Sequence, residues 1–209
     1  MKNSNQKNDS QKASYWIKRG SQYFKQEILE EALFAYDRAL ELDPENSKIW
    51  DNRGVVLAKL GWHSQAIESF EVALELESDN SQAWSNMGVS LGANLRFEEA
   101  INCFNRAIEL NPEYDDAWNN KGTALFSIAR YEEALDNFHE ALKINSDNIK
   151  ALAGKGSALR FLDRYDEAIE VLEKFIAIAP LELEYLKEEA WAMLLELKLI
   201  KEKEEQSDK

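Results

Sequence analysis

AWNNKGTALFSIARYEEALDNFHEALKINSD, residues 117–147, holds a tryptophan, a glycine, two alanines and a phenylalanine whose relatives recur along the whole chain. Trp16, Trp50, Trp84 and Trp118 stand 34 residues apart. Gly20, Gly54, Gly88, Gly122 and Gly156 keep that spacing, as do Ala32, Ala66, Ala100, Ala134 and Ala168. A third series is Ala39, Ala73, Ala107 and Ala141; a fourth is Tyr36, Phe70, Phe104 and Phe138, continued by Leu172. Registers that agree over so much of the chain mean a solenoid of stacked units.

Each unit reads as two helices. Trp84, Met87, Gly88 and Leu91 fall at i, i+3, i+4 and i+7, one face of a helix from Ala83 to about Asn94. A second helix runs from Phe97 to about Leu110, with Ala100, Phe104, Ala107 and Ile108 turned inward. Pro44, Pro112 and Pro180 end second helices, because proline has no amide hydrogen to continue them. Ser78 and Ser146 hold the equivalent places elsewhere. Gly88 and Ala100 let the two backbones approach, while Trp84 and Phe104 fill the space around that contact. One such hairpin would leave an apolar face wet, and stacking covers it.

The chain of 209 residues is 44% hydrophobic and carries a formal net charge of −14. Glutamate, leucine and alanine favour helix. The charge predicts solubility and repulsion from nucleic acid and anionic membrane. Cys103 is the only cysteine, which excludes an intrachain disulfide and points to a reducing, cytoplasmic setting. The polar N-terminus, MKNSNQKNDSQK, has no hydrophobic core of a signal peptide, and no apolar run reaches transmembrane length.

The pattern W-x2-[LM]-G-x2-[YL], then A-x3-[FY]-x2-A, then Pro resembles the tetratricopeptide repeat (TPR) family. It is carried by Trp84, Met87, Gly88, Leu91, Ala100, Phe104, Ala107 and Pro112, and again by Trp50, Gly54, Leu57, Ala66, Phe70 and Ala73. The resemblance implies an all-α fold, a right-handed α-solenoid of helix-turn-helix repeats closed by a C-terminal capping helix. The expected repeats are 13–46, 47–80, 81–114, 115–148 and 149–182, with the cap over 183–201 and disordered ends at 1–12 and 202–209. The fifth repeat departs from the pattern, with Leu152 in the tryptophan position and Phe175 in that of a small alanine. Trp191, Leu194 and Leu195 are expected to cover that end, or else to form a homodimer contact.

In TPR arrays the first helix of each repeat lines a concave groove that holds peptides or helices of partner proteins. The repeat register then puts Asn52, Asn86 and Asn120 on this face, with Lys48, Val55, Val89 and Thr123 beside them. Asp116 and Asn119 add polarity in the fourth repeat, Lys150, Ser157, Arg160 and Phe161 in the fifth, Lys18 and Ser21 in the first. An amide both donates and accepts hydrogen bonds, so a row of asparagines suits the backbone of an extended peptide. Some TPR cochaperones grip the EEVD tails of Hsp70 and Hsp90 with a Lys/Asn clamp. Here that clamp is broken in every frame: Ile17 and Ser21, Asp51 and Val55, or Ser85 and Val89 stand where it needs Lys and Asn, and Gly154 replaces its Arg. No EEVD binding is expected.

Other chemistry has little footing in the sequence. His63 and His139, the only histidines, form no metal-binding pair, and no Gly-rich phosphate loop or aromatic-studded basic patch is present. Acidic pairs such as Glu98-Glu99 and Glu132-Glu133 are expected at the start of each second helix, where they complement its positive end. Cys103 reads as a packed thiol. The expectation is a non-enzymatic protein-interaction scaffold without cofactor or metal, bound to a protein or peptide. The alternative is a structural protein that self-associates through its C-terminal apolar helix.

Overall fold

A computed structural model describes the backbone of residues 2–207 and the side chains of residues 10–203 and 206. Among the described residues the elements are α1 (Lys2–Lys25), α2 (Leu29–Leu40), α3 (Ser47–Lys59), α4 (His63–Leu76), α5 (Ser81–Ala93), α6 (Phe97–Leu110), α7 (Asp115–Ser127), α8 (Tyr131–Ile144), α9 (Ile149–Phe161), α10 (Tyr165–Ile178), a 3-10 turn at Leu181–Leu183, and α11 (Glu184–Ser207). The fold is all-α. The chain forms two compact units, one up to Leu110 with α1–α6, the other from Asn111 with α7–α11. Helix α1 begins at Lys2 and α11 runs to Ser207. Residues 1, 208 and 209 lie outside the described residues.

Each hairpin turns in the same way. Glu27, Gly61, Leu95, Ala129 and Asp163 all have positive φ, between 56° and 78°. The amide of the next residue then reaches back to the carbonyl five residues earlier: Trp62 to Leu57 at 2.9 Å, Arg96 to Leu91 and Arg164 to Leu159 at 3.0 Å. This is the Schellman closure of a helix, which satisfies carbonyls that the helix end leaves open. Turns this short fold the second helix back against the first.

Packing within the hairpin centres on the repeated glycine, which in the first four hairpins meets an aromatic ring of the second helix. A Cβ on Gly54 would stand 2.6 Å from the Phe70 ring; on Gly88, 2.7 Å from Phe104; on Gly122, 2.8 Å from Phe138. Gly20 meets Tyr36 in the same way, and Gly156 meets Leu172. The ring of the second helix lies on the bare backbone of the first. The alanines at 32, 66, 100, 134 and 168 are fully buried and keep the second helix close. Phe138 touches a second glycine, Gly154 of α9, so in the second unit one ring joins two successive hairpins.

The tryptophans are only partly buried, and they act as ties more than as core. The indole N–H groups of Trp50, Trp84 and Trp118 donate to the carbonyls of Pro44, Ser78 and Pro112 at 2.8–2.9 Å. Each bond clips a first helix to the segment that precedes it. In the fifth repeat Leu152 has no N–H to give, and the Lys174 ammonium takes the equivalent carbonyl, that of Ser146, at 2.7 Å.

Two expectations need correction. Acidic residues do not open every second helix, since the first turn of α4 has none. At the C-terminal end Leu194 is buried, but Trp191 and Leu195 face outward, and Ala190 and Leu197 complete the buried side of α11. Phe175 is nevertheless fully covered. No helix among the described residues is long and apolar enough to cross a membrane.

Candidate functional site

In the first unit the expected surface comes from α3 and α5. Lys48 is exposed, Asn52 and Asn86 are half-buried, and Val89 is exposed. Asn52 and Asn86 hold equivalent places on successive first helices because the glycine register carries them there. Beside them lies a residue that the sequence reading did not assign to the surface. Asp51 is half-buried, and one of its carboxylate oxygens is buried without a partner. Burial lifts its carboxyl to about 6, hydrogen bonding from Asn86 draws it down, and the Glu77 charge pushes it up again. Ser47 donates to Glu77 at 2.6 Å, which brings that carboxylate to the start of α3. The face therefore offers amides that both donate and accept, next to a carboxylate that is costly to ionise.

In the second unit the expected residues separate. Asn120 is half-buried on α7. Asn119 is buried, donates weakly to the Asn120 side chain at 3.3 Å, and keeps an unpartnered oxygen. It is a structural neighbour of Asn120 and not a surface donor. Thr123 is exposed, but its hydroxyl donates to the Asn119 carbonyl. Gly154 stands in the asparagine register in the fifth repeat, and the Phe138 ring leaves no room there for a side chain.

Asp116 and Lys150 come together in a cleft of about 690 Å³ whose walls include Asp115, Asp147, Leu183 and Tyr185. Asp115 accepts from Asn145 at 2.9 Å and Asn148 at 3.0 Å, which fixes the rim. Arg160 lies apart from this cleft. Both oxygens of Glu196 on α11 hold it, at 2.9 and 3.0 Å, so it is already paired within the chain. Only knowledge of where α11 packs could have revealed that pairing.

The remaining reactive side chains do not gather. Burial pushes the Cys103 thiol up to about 11, with Glu99 adding to the effect, so it stays protonated near neutral pH. His139 is exposed, and His63 keeps a buried ring nitrogen without a partner. Among the described residues no group of three or more His, Cys, Asp or Glu side chains is arranged to hold a metal.

Comparison with known proteins bears on the family and the fold. Tetratricopeptide repeat models match residues 47–80, 81–114, 115–148 and 149–180, and a TPR repeat model matches 20–61. No curated protein matches the sequence. Among similar solved structures, the MamA protein shares 23% identity at a TM-score of 0.73, covering 84% of this chain and 96% of that one. The pilF protein of Pseudomonas aeruginosa shares 22% at 0.73, covering 97% and 100%. YrrB, described as a TPR protein with an unusual peptide-binding site, shares 26% at 0.68, covering 85% and 90%. Matches to successive repeats from residue 20 to 180, together with hairpins closed by a ring on a glycine, show that the chain belongs to the tetratricopeptide repeat family.

Proposed function

We propose that this protein is an interaction scaffold, not an enzyme, and that it holds an extended segment of a partner protein on the inner faces of its first helices. The observation that carries the reading is the pair Asn52 and Asn86, half-buried at equivalent places on α3 and α5. Half-burial restrains each amide while leaving part of it free to bond a peptide backbone. Asn120 is the corresponding group on α7 in the second unit. The 26% identical YrrB, whose description names a peptide-binding site, supports the same class of ligand. Lys48 on α3, and Asp116, Thr123 and Lys150 in the second unit, select among segments by charge and polarity. Asn119 acts from below by positioning Asn120, and Arg160 contributes only if its bond to Glu196 opens.

EEVD tails are poor ligands on this reading. The clamp needs a long cation where Gly154 stands, and that position has no room for one. The lone buried Cys103 and the absence of apolar spanning helices among the described residues fit a cytoplasmic setting. The test is affinity capture from the native lysate with the wild-type chain and with the triple variant Asn52→Ala, Asn86→Ala, Asn120→Ala. A specific partner that the triple variant loses, while it keeps its helical circular dichroism, is the expected result. Equal capture by both proteins would remove the asparagines from the site.

A further inference from the structure

The cleft that holds Asp116 and Lys150 belongs to the C-terminal end of the repeats. Phe175 stands in its wall, where the other repeats have Ala39, Ala73, Ala107 and Ala141. After α10, Pro180 and the 3-10 turn bring Leu183, Tyr185 and Leu186 to the same cavity as Ile149 and Ala153 of α9. Leu183, Leu186, Ile149 and Ala153 are half-buried, which makes an apolar floor that water still reaches. At about 690 Å³ the cleft has the capacity of a binding site, since such sites run from roughly 300 to 1,000 Å³.

Its rim is rich in acceptors. Asp115, Asp116 and Asp147 contribute carboxylates, and among the described residues Lys150 is the one cation of the lining. The amide donors of Asn145 and Asn148 are already spent on Asp115. Lys174 stands 3.8 Å from Asp147, but its ammonium donates to the Ser146 carbonyl at 2.7 Å. One turn along α7 from Asp115, Asn119 is 3% exposed and keeps an amide oxygen that no donor meets. The charged residues next in sequence to the lining are Lys174, Glu182, Glu184 and Lys187, which cancel. The cleft therefore keeps an excess of negative charge and a shortage of donors.

We propose that this cleft anchors a basic residue of the partner segment, a lysine or arginine beside a bulky apolar side chain, with the cation on Asp116 and Asp147 and its neighbour on Ile149, Leu183 and Leu186. Arginine brings five N–H donors and lysine three, neither brings an acceptor, and both carry an apolar stem that suits the floor. An acidic segment would meet charge of its own sign. A purely apolar one would cover the carboxylates without pairing them. The inference rests on the scaffold reading and names the chemistry of what the scaffold holds, without using the asparagine row.

NMR titration of the full chain with three terminally blocked peptides tests it: Gly-Leu-Arg-Leu-Gly, the same peptide with Glu for Arg, and the same with Gly for both Leu. The first should shift the backbone amides of Ile149, Ala153 and Leu186 to saturation, less tightly in high salt. The other two should bind there more weakly. The double variant Asp116→Asn, Asp147→Asn, at two exposed positions, should keep the helical spectrum and weaken the Arg peptide about 3- to 10-fold. Lys150→Gln should tighten it. The triple variant Asn52→Ala, Asn86→Ala, Asn120→Ala should leave these shifts as they are, so failure of the cleft and failure of the asparagine row are read separately. An Arg peptide that moves none of these amides would overturn the proposal. So would a Glu peptide that moves them as strongly, or a double variant that binds the Arg peptide as tightly as the wild type.

Discussion

At the residue scale, the most unusual group is Asp51. Its carboxyl sits mostly out of water with one oxygen unpartnered, and burial raises it to about 6. A carboxyl whose folded pKa lies above its unfolded value weakens the fold once it ionises. Stability from this group is therefore present at low pH and is lost as pH rises from the unfolded value, about 4, through about 6. Asp51→Asn removes the charge and keeps the shape. The variant should be more stable than wild type by about 1–3 kcal/mol near neutral pH, with the gain vanishing below about pH 4. Urea unfolding of both proteins at the two pH values measures this, and a gain that is the same at both would trace to something other than ionisation. Asp51 was not legible as special, because the sequence shows an ordinary acid beside Trp50. Its burial depends on α5 and on the Asn86 side chain, which belong to the next repeat.

At the scale of the element, the recurring device is the left-handed turn. Its five positions are occupied by Glu27, Gly61, Leu95, Ala129 and Asp163, so the backbone repeats while the side chain does not. Only Gly61 announces the geometry, which is why the sequence located the turns but not their form. Leu95 adopts φ 61° while 74% exposed, so it makes little packing contact to offset the strain. A left-handed L-residue costs roughly 1–2 kcal/mol, and glycine gives part of that back through its freer unfolded chain. Leu95→Gly should raise stability by about 0.5–1 kcal/mol, and Gly61→Ala should lower it by a similar amount. Denaturant midpoints check both, and a destabilised Leu95→Gly would contradict the strain argument. The helices themselves were legible from the period and from the prolines that end second helices. The direction of α11 was not: an apolar run names its residues but not which of them turn inward, and Trp191 and Leu195 turned out.

At the scale of the molecule, one contact recurs: a side chain of each second helix, a ring in the first four hairpins and Leu172 in the fifth, seated on a glycine of the first. The period marks both partners but not their contact. Small residues at matching positions look interchangeable in sequence, whereas in space the alanines seal the hairpin and the ring meets the glycine. The candidate surface follows from the same register, since Asn52 and Asn86 are carried to equivalent places by Gly54 and Gly88. It was legible to that extent, and the capture of Arg160 by Glu196 was not. Helix α5 contains the sharpest test, because it has two glycines in different surroundings. A Cβ on Gly88 would stand 2.7 Å from the Phe104 ring, whereas one on Gly92 meets nothing within 4 Å. In a helix alanine is otherwise preferred to glycine by up to about 1 kcal/mol. Urea unfolding of Gly88→Ala and Gly92→Ala should give opposite signs: Gly92→Ala more stable by up to about 1 kcal/mol, Gly88→Ala less stable by roughly 1–3 kcal/mol. Two variants that gain stability alike would show that the ring does not rest on that glycine, and the packing account would fail.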